Sequence, residues 1–126
     1  MPSPTPRTPI IEVEDMSGKT VSVTLVRFLL VKVRNIDDIE SIGSQLYSMV
    51  EDANRTNLLL DHTTVEYVAS FFLGKLIGLR RRVILASGRL VLVVKPGSLV
   101  EEIIDLCDLR AIFEIYSTVE EALSRF

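Results

Sequence analysis

The 126-residue chain has one cysteine and one histidine, and these two scarcities remove much of catalytic and metal chemistry. With Cys107 alone no disulfide can form within the chain. No CxxC pair or Cys/His set exists from which a zinc site is built. Cys107 ends an apolar helical run (Ile103, Ile104, Leu106) and reads as a buried, inert thiol rather than a nucleophile. His62 follows an apolar run and precedes two threonines, where a hydrogen-bonded loop residue is a plainer reading than a catalytic base. The glycines at 74, 78 and 88 are isolated, so no loop cradles a phosphate. Nothing assembles a nucleophile, an oriented base and an oxyanion donor. The expectation is a protein that is not an enzyme and carries no cofactor and no metal.

An excess of positive charge is also missing. The formal net charge is −3, and Arg80-Arg81-Arg82 is the one dense basic cluster. The electrostatic footprint of a nucleic-acid binder is missing, and the triplet reads as a solvated helix face. Glu101, Glu102 and Asp105 likewise read as a solvated acidic face. Apolar runs are of strand length, well short of the ~20 residues of a membrane span. The opening MPSPTPRTP has no apolar core of a signal peptide. A reducing cytoplasm is the expected location.

What is present describes a folded domain. Hydrophobic residues make up 48% and charged residues 25%, a globular balance at single-domain length. Residues 1–9 read as a flexible, proline-rich leader and residues 10–126 as one domain.

Along that domain, Ile10–Val13 reads as a short first strand and Ser17-Gly18 as a turn. Thr20–Leu25 alternates as a half-buried strand, and Phe28–Val33 is a second strand-length apolar run. Arg27 between them fits either a tight connection or a continuous bent strand. Asp37 and Asp38 suit a helix start, as caps or as charges favoured by the helix dipole. The stripe Ile39, Ile42, Leu46, Met49, Val50, Ala53 follows as one helix face. Leu58-Leu59-Leu60 is the continuous apolar run of a central strand. Ser70 opens a second helix with Leu73, Leu76, Ile77, Val83 and Ile84 inward, closed by Ser87-Gly88. Leu90–Val94 is a buried strand. Ser98 to Glu101 is a capping box for a third helix with Leu99, Ile103 and Leu106 inward. Phe113–Ile115 is a strand. Ser117 to Glu120 is a second capping box, opening a helix with Val119, Ala122, Leu123 and Phe126 inward. Alternating strands and helices predict an α/β fold, a mixed and mostly parallel sheet with helices packed against it and an antiparallel start.

The segment Leu58–Leu79 carries the functional signal. A buried strand ends at Asp61, a turn follows, and Ser70 stands where a helix start presents free N–H groups and a partial positive charge. The plain reading is that Ser70 caps the helix. The functional one is a phosphorylation switch, since a phosphate adds about −1.5 to −2 charges at a helix end that tolerates them. Phe71 shares a helix line with Lys75, Gly78 and Arg82. It is either exposed beside Ser70 as a protein contact or folded back over the helix start.

The run LLLDHTTVEYVASFFLGKL resembles the signature of STAS domains and anti-sigma factor antagonists. There a strand ending in Asp leads through a V-x-Y or V-x-F turn to a serine, a small residue, Gly, Leu and a helix. The second half, SGRLVLVVKPGSLVEEIIDLCDLRAIFEIYSTVEEALSRF, is similar to that family as well. The resemblance covers about residues 10–126. It implies a single STAS-type domain that binds an anti-sigma factor, often a serine kinase, and so releases a sigma factor. The kinase would phosphorylate the serine at the helix start, here Ser70, with Asp61 shaping the site. The implied partner surface comprises Asp61, Ala69, Ser70, Phe71 and Lys75. Neither direct nucleic-acid binding nor membrane association is implied, and a homo-oligomer is left open.

Ala69 stands where the family usually has Asp or Ser, and Phe71 and Phe72 stand where it has small residues. These departures favour the alternative of a non-phosphorylated STAS scaffold in a signalling assembly. A nucleotide sensor, a third class, lacks a phosphate loop.

Overall fold

A computed structural model describes residues 9–126. Residues 1–8 of the expected leader lie outside the described residues, and Pro9 is exposed. Strands β1 (Ile11–Ser17) and β2 (Ser22–Phe28) form an antiparallel hairpin. It turns where the Gly18 amide donates to the Val21 carbonyl, 2.8 Å. Three crossover units follow: α1 (Ile36–Glu51) leads to β4 (Asn57–Asp61), α2 (Ser70–Leu85) to β6 (Arg89–Val93), and α3 (Leu99–Leu106) to β7 (Glu114–Tyr116). Helix α4 (Val119–Leu123) ends the chain. The five-stranded sheet has the order β1-β2-β4-β6-β7, and every pair after the hairpin is parallel. This is the mixed, mostly parallel α/β sheet that the alternation of strands and helices predicts.

Side-chain alternation builds a core on each face. Leu58 and Leu60 join Val26, Phe28, Leu90 and Leu92 beneath α1, α2 and α3. Leu59 joins Leu25, Val91 and Val93 beneath Ala122 and Phe126. The uninterrupted leucine run is what a central strand covered on both sides requires. In α1, Ile39, Ile42, Leu46 and Val50 are buried at helical spacing, as expected.

A second, two-stranded sheet pairs β3 (Lys32–Val33) with β5 (Tyr67–Val68) in parallel. It fixes where α2 begins. The Glu66 amide donates to the Val31 carbonyl (2.7 Å) and the Ala69 amide to the Val33 carbonyl (2.9 Å). The β4–α2 connection is held further by Thr64 Oγ1, which donates to the Phe28 carbonyl at 2.9 Å.

Several local expectations are corrected. The first strand runs to Ser17, and Arg27 lies inside β2 opposite Glu12. Phe28–Val33 is not one strand: Leu29 and Val31 are exposed, and only Lys32–Val33 pair. Asn35, not an aspartate, caps α1. Its Oδ1 accepts from the amides of Asp37 (2.9 Å) and Asp38 (3.2 Å), which leaves both aspartates in the first turn, where the dipole favours them. Ala53 falls beyond the helix and is exposed.

In α2 the core line is Phe72, Leu73, Leu76, Leu79 and Val83, while Ile77 and Ile84 face solvent. In α3, Val100 and Ile104 are buried, Ile103 is half-buried, and Leu99 and Leu106 are exposed. Cys107 is exposed too, contrary to the buried thiol expected. Helix α3 stops at Leu106, so the apolar run overshoots it. The last helix is capped by Thr118, whose Oγ1 accepts from the Glu121 amide at 3.1 Å, one residue later than the Ser117 box. The arginine triplet is only in part a solvated face. Arg80 donates to the Ile112 carbonyl, and Arg82 pairs with Glu51 and lies over the Tyr47 ring.

Candidate functional site

Ser70 is the first residue of α2 and is exposed. The capping position before it belongs to Ala69, in extended conformation and without a side-chain acceptor. Ser70 therefore does not cap the helix, and its hydroxyl has no intrachain hydrogen bond among the described residues. The Phe72 and Leu73 amides find the Ala69 carbonyl, but the Ser70 and Phe71 amides have no acceptor among the described residues. The first turn also holds no acidic residue. The positive end of the helix dipole is thus uncompensated, and two N–H groups are free beside the hydroxyl. A phosphate on Ser70 would find donors and a favourable field there.

The two aromatics that follow part company. Phe72 is fully buried, edge-on to Phe28 with ring centroids 5.4 Å apart. Phe71 is 42% exposed, with Lys75 Nζ 5.0 Å from its ring centroid. Lys75 in turn reaches Glu40 of α1, Nζ to Oε2 3.1 Å. Ser70, Phe71 and Lys75 share one surface region, and half-buried Ala69 stands beside it.

Asp61 is 7% exposed at the end of β4. Its Oδ1 accepts from the Thr63 amide at 2.9 Å, and its Oδ2 lies 3.6 Å from Arg27 Nε. It folds the connection that delivers α2 and offers little surface to a partner. The site also gains residues not singled out from the sequence. Val31 (50% exposed) and Tyr67 (38%) flank the helix start through the β3–β5 pairing. Reading Phe28–Val33 as one strand-length apolar run hid Val31.

The STAS domain family model matches residues 30–122. The chain belongs to the STAS domain family. No curated protein matches the STAS chain. Among solved structures it is similar to a Thermotoga maritima protein assigned as an anti-sigma factor antagonist. That match has 25% identity and a TM-score of 0.68, over 79% of this chain and 84% of the other. An anti-sigma factor antagonist from Mycobacterium paratuberculosis matches at 21% identity, TM-score 0.67, over 90% and 91% of the two chains. The Bacillus cell fate determinant SpoIIAA, in its phosphorylated form, matches at 17% identity, TM-score 0.67, over 91% and 97%. This STAS domain therefore shares the fold of anti-sigma factor antagonists.

Behind the site of this STAS domain lies the lone histidine, a hydrogen-bonded residue of the loop after β4, as expected, and a buried one. His62 is 2% exposed, its ring 4.7 Å from that of Phe28 and 6.0 Å from that of Phe72. Nδ1 donates to the Leu60 carbonyl at 3.2 Å, so the neutral ring carries its bare lone pair on Nε2, which has no partner. Burial lowers its pKa to about 4, against the weaker opposing pull of the Val93 and Leu60 backbone and the Asp61 charge. The unfolded chain binds this proton more readily, so stability is full above pH ~6.5 and falls as pH drops toward ~4. The shift corresponds to about 3 kcal/mol. Urea unfolding at pH 7 and pH 4.5 should show that loss in the wild type and a much flatter profile in His62→Leu. An equally steep profile in the variant would assign the loss to other groups.

Among the described residues no group of three or more His, Cys, Asp or Glu side chains is placed to hold a metal ion, and no helix is long and apolar enough to cross a membrane.

Proposed function

We propose that this STAS domain is an anti-sigma factor antagonist whose partner docks over the start of α2, and that phosphorylation of Ser70 by an anti-sigma kinase releases that partner. The observation that carries this reading is an exposed serine hydroxyl at a helix start with no side-chain cap and two amides that find no acceptor among the described residues. The helix end accepts the new charge without unfolding. A partner surface lying over Phe71, Tyr67 and Val31 meets charge and bulk it was not shaped for. Burial of Phe72 in the core supports the reading, because only Phe71 then stands at the surface beside the hydroxyl. Asp61 and Ala69 act from behind, by setting the path of the chain into the helix.

Incubation with ATP and the cognate anti-sigma kinase, followed by phosphopeptide mass spectrometry, tests the switch. Close to one phosphate per chain is expected on Ser70, and none on Ser70→Ala. A chain left unmodified while the kinase modifies a control substrate would remove the switch.

One observation favours a second reading, a constitutive STAS interaction module. Phe71 is a large exposed ring directly beside Ser70, steadied by Lys75. In that case partner binding depends on Phe71 and ignores the state of Ser70.

A further inference from the structure

Helix α2 holds Lys75, Arg80, Arg81 and Arg82 and no acidic residue, and the fold sorts these cations by direction. Lys75 and Arg82 turn toward α1, where they pair with Glu40 and Glu51. The outward ones are not neutralised. Arg80 Nε donates to the Ile112 carbonyl at 2.8 Å. Among the described residues neither Arg80 nor Arg81 has a carboxylate within ion-pair distance.

Ser70, Gly74, Ile77, Arg81 and Ile84 recur at spacings of four and three, which is a single line along a helix. All five are exposed, Ile77 by 40% and Ile84 by 52%. Ile112, 39% exposed and joined to the helix through Arg80, widens the apolar strip.

Gly74 is the informative position. A Cβ on Gly43 would lie 2.9 Å from Lys75 Cδ, and one on Gly78 would lie 2.5 Å from Tyr47 Oη, so α1–α2 packing accounts for both glycines. A Cβ on Gly74 would meet nothing within 4 Å. Glycine is the poorest helix-interior residue after proline, and no contact among the described residues offsets that here. An outward glycine between exposed apolar side chains is where a second backbone can approach closely.

We propose that the outward face of α2, from Ser70 to Ile84, is the docking surface for an amphipathic helix of a protein partner, with acidic side chains flanking its apolar stripe, seated over Gly74. The proposal rests on the reading of Ser70 above and extends that contact from the helix start along the whole helix. Unneutralised Arg80 and Arg81 select an acidic partner. They disfavour a symmetric pairing of this face with the same face of a second copy, which would set like charge against like.

The probe is a synthetic helical peptide with leucines at one-face spacing flanked by glutamates, beside a twin with lysines in place of the glutamates. Each is titrated into isotopically labelled wild type, Gly74→Leu, Arg81→Glu and Ser70→Asp while backbone amide shifts are followed. The glutamate peptide should move the amides of Gly74, Ile77, Arg81 and Ile84, and the lysine twin should not bind. Gly74→Leu and Arg81→Glu should each weaken binding about tenfold or more without lowering the melting temperature, since both side chains project into solvent, and Gly74→Leu should raise it by removing a glycine from the helix interior.

Absence of binding by either peptide, shifts on another face, or full affinity in Gly74→Leu would overturn the proposal. So would tighter binding of Arg80 and Arg81 to phosphatidylserine vesicles than to the peptide, or a dimer in sedimentation that Gly74→Leu dissolves. Ser70→Asp separates the two readings. Peptide binding lost in Gly74→Leu and Arg81→Glu but unchanged in Ser70→Asp keeps the docking face and removes the switch.

Discussion

Phe72→Ala should lower the unfolding free energy by about 3–5 kcal/mol, the range for truncating a buried aromatic ring, and reduce the melting temperature by on the order of 10 °C or more. Phe72 is fully buried beneath α2, packed edge-on to Phe28 and close to His62. Its removal empties the space between the helix start and the sheet. Phe71→Ala, one residue earlier, should cost less than about 1 kcal/mol, chiefly the contact with Lys75. Its effect should fall on partner affinity, by tenfold or more if the ring is an anchor of about 2 kcal/mol. Thermal melts of the two variants read the contrast directly. Similar losses of stability in both would mean that Phe71 belongs to the core.

A comparable loss is expected from a single methyl group at Gly88. The turn between α2 and β6 passes so close to the entry into β4 that a Cβ on Gly88 would lie 2.7 Å from the Thr56 carbonyl carbon and in hard overlap with its oxygen. That oxygen accepts from the Arg89 amide at 2.9 Å, so neither backbone can move without losing strand register. Gly88→Ala should cost about 3 kcal/mol or more. The left-handed residue of this helix end is Ser87, at φ 59°. The Gly88 amide donates to the Val83 carbonyl at 2.9 Å and the Ser87 amide to that of Ile84 at 3.0 Å, the paired bonds that close a helix around a left-handed residue. Ser87→Gly should therefore raise stability by up to about 1 kcal/mol. Denaturant midpoints check both signs. A tolerated Gly88→Ala would show that the turn has slack.

The sequence carried the architecture because its strongest signals are physical requirements of that architecture. Leu58-Leu59-Leu60 is the run that a strand covered on both faces requires, and the α1 stripe at 39, 42, 46 and 50 is the apolar face of a helix packed on a core. What it could not carry was rotation and choice among neighbours. Asn35, Asp37 and Asp38 can each cap a helix; the chain's entry angle selects Asn35. Ile77 and Ile84 look like core residues and lie outside it, while Phe72 and Leu79 take the inward line. In α3 only Val100 and Ile104 are fully buried, so Leu106 and Cys107 are left in solvent.

At the candidate site, the position of Ser70 was legible from the strand–turn–serine–helix order. That it leaves the cap to Ala69 was not, because one residue of shift decides it. Nor was the approach of Val31 and Tyr67, which depends on two short strands far apart in sequence.

A partner that docks over the start of α2 should leave when charge is placed on Ser70. The most direct measurement is capture from a lysate of the source cell with wild-type protein and with Ser70→Asp, read by mass spectrometry. A kinase-like anti-sigma factor is expected on the wild type and should be lost from Ser70→Asp, with both proteins melting at similar temperatures. The same partners retained by both would contradict it, and would leave Phe71 rather than Ser70 as the residue on which binding turns.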